Sequence, residues 1–188
     1  MRETATPLQS VDNLVIYDPY FEGAAQSQNA EVGGSGALHP VRSWADVVEG
    51  LHAFRYVKFL TFFTHGMPGV MLPPGGANIV GLDFAMIKLD PAFMQKNGRI
   101  LFMGCNLAEG DTGDLFLDEV GKAFLRSKGG FVGASTAANI MISFRFLPSV
   151  STEAFMEPLS FGRLKVYRYD ETGARIAGQV TDRHGWRR

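Results

Sequence analysis

The stretch FLTFFTHGMPG, residues 59–69, carries an apolar run that stops abruptly on Thr64-His65-Gly66. A second stretch, RILFMGCNLAEG at 99–110, stops in the same way on Gly104-Cys105-Asn106. Short apolar runs rich in aromatic and branched residues and closed by glycine read as buried strands. The segment between them has a length suited to one crossover connection, which predicts two neighbouring parallel strands.

Working outward, NLVIYDPYF (13–21) is a further buried strand, stopped by Asp18-Pro19, and FVGAST (131–136) is another. RSWADVVEGL (42–51) predicts a helix, with Ser43 and Asp46 spaced as a capping-box variant and Trp44, Val47, Val48 and Leu51 at helical spacing. TGDLFLDEVGKAFLRSKGG (112–130) predicts the clearest helix. Asp111 or Thr112 can cap its start, Leu115, Phe116, Val120, Ala123 and Phe124 form its apolar face, and Gly129-Gly130 stop it. LDFAMIKL (82–89) has the spacing of a short helix. LKVYRYDETGARIAGQV (164–180) predicts a hairpin around 170–173.

Residues 22–40 are rich in Gly, Ala, Ser and Gln without apolar periodicity, so the expectation there is a long loop with the composition of a lid or processing site. The pattern over 137–160 is ambiguous. Strands alternating with amphipathic helices predict an α/β fold: a mostly parallel sheet with helices on both faces and a C-terminal β-hairpin as an antiparallel edge. With 188 residues and no evident linker or repeat, a single domain is expected over 1–188.

A net charge of −1 gives no general attraction to nucleic acid or to an anionic membrane, and neither is expected as a partner. The basic end, DRHGWRR (182–188), reads as a solvated tail. One cysteine excludes an internal disulfide and a multi-cysteine zinc site, and one Cys with scattered His lacks the spacing of a structural zinc site. No secretory leader is visible at the start, and no apolar stretch approaches the ~20 residues of a membrane span. The expectation is a soluble, cytoplasmic protein; oligomeric state has no signature here.

In such sheets reactive crevices lie outside the carboxyl ends of the strands, where Asp18, His65, Cys105 and Ser135 all fall. A thiol attacks as its thiolate, and an imidazole can take that proton and later protonate a leaving amine. The oxyanion needs backbone donors; Gly66, without a Cβ, and the amide of Cys105 suit that role. Other cysteine chemistries fit less well. A phosphatase loop would want Arg where Asp111 stands, and a nucleophile elbow would want glycines at Met103 and Leu107. A cysteine that merely ends a strand is the simple structural alternative. Asp18 could orient His65, bind a basic substrate side chain, or form the turn usual for Asp-Pro. Arg145 could instead receive an acidic side chain. His39, His52 and His184 have no such context.

The motifs THGMPG (64–69), ILFMGCNLAEGDTGDLFL (100–117) and GGFVGAST (129–136) resemble the caspase-like (clan CD) cysteine peptidase superfamily. The likeness is nearest to an uncharacterised bacterial branch, with CHAT domains as a further relative. It runs over about 13–136 and fades at AANIMISFRF (137–146). The resemblance implies His65 as catalytic histidine, Cys105 as nucleophile, Gly66 as an oxyanion-binding amide, a peptide or protein substrate, and no cofactor. The alternative on the same scaffold is a non-catalytic binding or regulatory module.

Overall fold

The computed structural model describes residues 8–136, 139–140, 159–160 and 164–181. The parallel part of its sheet centres on β5, Val57–Phe63, which pairs in parallel with β2, Asn13–Tyr17, on one side and with β8, Met94–Phe102, on the other. β3, Gly36–Pro40, joins β2 in parallel, and β9, Gly130–Ser135, joins β8 in parallel. The expected hairpin closes the sheet: β12, Leu164–Tyr169, runs antiparallel to β9, and β13, Arg175–Thr181, antiparallel to β12. The order is β13-β12-β9-β8-β5-β2-β3. Among the described residues three short pairs lie outside it: β1, Gln9–Ser10, with β4, Phe54–Arg55; β6, His65–Met67, with β7, Val70–Leu72; and β10, Asn139–Ile140, with β11, Leu159–Ser160.

Alternation along each strand sends side chains to two separate cores. Leu14, Ile16, Leu60, Phe62, Ile100 and Phe102 face one side. There they meet α2 (Trp44–Ala53), α3 (Gly81–Ala85) and α4 (Gly110–Leu125) through Val47, Leu51, Phe84, Phe116 and Val120. Val15, Tyr17, Phe63 and Leu101 face the other side, where Ala24 and Ala25 of α1 (Glu22–Val32) cover them. Helices thus flank both faces, as expected of a buried parallel sheet.

An aromatic cluster ties the two central strands together. Phe62 and Phe102 are register partners on β5 and β8, stacked 4.6 Å apart and nearly parallel. Phe84 sits edge-on to both at 5.7 Å, and Phe116 closes on Phe102 at 5.1 Å.

Three expectations are corrected. Residues 22–40 are not a loop: α1 and β3 occupy most of them. The helix escapes an apolar-periodicity test because its buried face is two small residues and one polar one, Ala24, Ala25 and Gln28. Asp18-Pro19 ahead of it and Gly33-Gly34 behind it, both glycines at positive φ, are the start and stop signals that mark it. α4 begins at Gly110 after Glu109, and no side-chain cap holds it, so neither Asp111 nor Thr112 serves there. On α4, Leu115 is 58% exposed while Leu117 is fully buried, which turns the apolar face by part of a turn. In α2 Ser43 does cap, accepting from the Asp46 amide; the Asp46 carboxylate accepts from the Arg42 amide. Arg145, His184 and the basic tail lie outside the described residues, as do nearly all of 137–163.

Candidate active site

The chain leaves β2 to form β3 on one side, then crosses back to form β5 on the other. The switch of direction falls between β2 and β5. That is where the loops diverge and open a crevice at the carboxyl ends of an α/β sheet. Asp18 follows β2, His65 follows β5, Cys105 follows β8, and Ser135 ends β9, so the four expected residues share one rim.

His65–Met67 form a short strand, β6, which folds back on β7, Val70–Leu72, through Pro68-Gly69. Proline second in the turn and Gly69 at φ 74° give the residue pattern of a type II turn. This hairpin is locked onto the segment carrying the cysteine. The Gly69 amide donates to the Leu107 carbonyl at 3.0 Å, and a Cβ on Gly69 would lie 2.8 Å from the Thr112 carbonyl oxygen. Below it, the Met103 amide donates to the Phe62 carbonyl at 2.8 Å.

At the centre the two backbones touch. A Cβ on Gly66 would stand 3.1 Å from the Cys105 carbonyl oxygen and 3.2 Å from the Gly104 Cα. A Cβ on Gly104 would stand 3.3 Å from both the Gly66 Cα and the His65 carbonyl oxygen. Only glycines permit that approach without displacement. In a two-residue hairpin the Met67–Val70 pair exchanges ladder bonds, which leaves the Gly66 amide directed away from β7. The Cβ position of Gly104 lies 3.4 Å from that amide nitrogen.

Cys105 is half-buried and begins a tight turn in which Asn106 adopts φ 54°. Asn is among the few non-glycine residues that enter the left-handed region readily, and such positions gather at functional sites. The turn is fixed by the Glu109 amide donating to the Asn106 carbonyl and the Ala108 amide donating to the Ser135 carbonyl, both at 2.9 Å. Ser135 is therefore the anchor of the cysteine turn through its backbone, and its side chain is buried.

Asp18 caps the short 3₁₀ turn Pro19–Phe21, its Oδ1 accepting from the Tyr20 amide at 2.8 Å. That turn delivers two rings to the histidine. The Phe21 and Tyr20 ring centroids stand 5.0 and 5.6 Å from that of His65. Sequence reasoning identified Asp18-Pro19 as a turn but not the aromatic pair behind it; neither Gly104 nor Gly69 was singled out. His39 and His52 lie elsewhere, each bonded to a backbone carbonyl of α2.

Among the described residues no group of three or more His, Cys, Asp or Glu is placed to hold a metal ion, and no helix is long and apolar enough to cross a membrane. No family model matches the chain, and no curated protein matches it.

Proposed function

We propose that this domain is a cysteine endopeptidase of the caspase-like type, with Cys105 as nucleophile and His65 as general acid and base. The observation that carries the reading is the van der Waals contact between the His65–Gly66 and Gly104–Cys105 backbones at the rim of adjacent parallel strands. Two residues of complementary chemistry are rooted there, with glycines at the points of closest approach.

In the proposed reaction, His65 accepts the Cys105 proton as Sγ attacks the peptide carbonyl carbon. The Gly66 and Cys105 amides stabilise the oxyanion. The C–N bond then breaks, His65 protonates the leaving amine, and a thioester remains on Cys105. Water, deprotonated by His65, attacks the thioester, releases the acid and restores the thiol. Asp18, at the rim beside the histidine, is the carboxylate that a basic substrate side chain would meet.

A positional library of fluorogenic peptides tests this. Cleavage should vanish in Cys105→Ala and fall roughly 10²–10⁴-fold in His65→Ala, the usual worth of acid–base catalysis. Cleavage that persists in Cys105→Ala overturns the reading. A library left uncut by the wild type would instead assign the non-catalytic module.

A further inference from the structure

We propose that residues 18–21 are the positioning element of His65, with the rings of Tyr20 and Phe21 fixing the orientation of its imidazole; the inference rests on His65 being the acid–base of the proposed reaction. A histidine that shuttles protons needs its ring held in one orientation, commonly by a hydrogen bond that its ring N–H donates to a third residue. Here the contacts that orient the ring, among the described residues, are aromatic. Phe21 lies 5.0 Å from the imidazole at 56°, and Tyr20 lies 5.6 Å from it at 39°. Tyr20 and Phe21 also brace each other edge-to-face at 5.0 Å. Offset and tilted arrangements at such distances are the attractive ones for aromatic pairs.

The clamp is itself anchored. Phe21 is only 9% exposed and packs with Val15, Ala24, Ala25 and Phe63 in the core beneath α1. The Asp18 amide donates to the Phe63 carbonyl at 2.9 Å, which ties the turn to the strand that ends in His65. The Phe21 amide donates to the Asp18 carbonyl at 2.7 Å, and Asp18 Oδ1 takes the Tyr20 amide. Tyr20 by contrast is 74% exposed, an aromatic placement that burial does not account for. Its ring partners among the described residues are Phe21 and the histidine.

Two readouts separate positioning from packing. The first is the imidazole proton resonances of His65, displaced by the neighbouring ring currents and recorded by NMR. The second is the His65-dependent rate at which iodoacetamide alkylates Cys105. In Tyr20→Ala the resonances should move towards unfolded-chain values and alkylation should slow by about tenfold, because small misplacements of a catalytic group cost that much. Tyr20→Phe should restore both, and Phe21→Leu, which keeps the burial but loses the ring, should resemble Tyr20→Ala. Unchanged His65 resonances in Tyr20→Ala overturn the clamp. So do shifted resonances with wild-type alkylation. An alkylation rate indifferent to His65→Ala marks failure of the dyad itself and takes the positioning role with it; that outcome is read from a different variant.

Discussion

The carbonyl oxygen of Cys105 stands 3.1 Å from the point where Gly66 would carry a Cβ. This gap is too narrow for a methyl group without movement, and the atoms that would have to move are backbone on both sides. The site is therefore adjustable only as a whole.

Gly66→Ala should push the histidine strand and the cysteine turn apart by a few tenths of an ångström. Overpacking of that size costs about 1–3 kcal/mol in stability. The loss in kcat/KM should be larger, roughly 10–100-fold, because the oxyanion amide moves with the strand. Comparing the thermal midpoint with kcat/KM on a cleaved peptide checks this. A variant that cleaves at the wild-type rate would remove Gly66 from the oxyanion role.

Gly69 and Gly76 share nearly the same backbone angle, φ 74° and 79°, but not the same surroundings. A Cβ at Gly69 meets the backbone of Thr112, whereas one at Gly76 meets nothing within 4 Å. Gly76→Ala should lose only the left-handed penalty of about 1–2 kcal/mol. Gly69→Ala should lose distinctly more and lift the hairpin from α4. Equal midpoints in urea denaturation would contradict the docking described here.

Tyr169 is buried, and its hydroxyl shares its one proton between the Leu117 carbonyl at 3.0 Å and Asp118 Oδ1 at 2.9 Å, pinning the edge hairpin to α4. Tyr169→Phe should cost about 1.5–3 kcal/mol, the net worth of a hydrogen bond to a charged group, since Arg175 at 3.4 Å keeps Asp118 paired. Burial, then the hydrogen bond to Asp118, holds this phenol far above its ordinary value. Its neighbour Tyr167 is pushed up to about 12 by burial and by Asp114. Both folded values are raised, so their stabilisation is complete below the unfolded value of about 10 and is lost as pH climbs from there through about 12. Urea midpoints should hold steady from pH 8 to about 10, then fall steeply towards pH 12 in wild type and less steeply in Tyr169→Phe. Parallel curves would show that the phenol does not govern alkaline unfolding.

The central strands were legible because Phe62 and Phe102 belong to continuous apolar runs that end on glycine, a pattern dictated by burial on both faces. The position of Cys105 beside His65 followed from that topology. α1 was illegible for a physical reason: Ala24, Ala25 and Gln28 bury too little apolar surface to produce a period, though Asp18-Pro19 and Gly33-Gly34 bracket it clearly. The Tyr20–Phe21 clamp was hidden for another reason. Rings that meet a histidine more than forty residues away leave no local spacing to read.

Asp18 has one observed role, capping its turn, and one proposed role, binding a basic side chain, which a pair of substitutions can pull apart. Its Oδ1 caps the turn through the Tyr20 amide, a task that Asn performs about as well as Asp. Its charge matters only if a basic substrate side chain docks against it, which Asn cannot replace. Asp18→Asn should therefore keep the wild-type thermal midpoint while cleavage after Arg or Lys falls by roughly 10–100-fold, as expected for losing one charged partner. Asp18→Ala should lose both, because the turn that carries Tyr20 and Phe21 loosens as well. Unchanged Arg and Lys cleavage in Asp18→Asn would confine the carboxyl to turn formation. Cleavage after Asp or Glu would rule out the acidic subsite and make Arg145→Ala the next variant to measure.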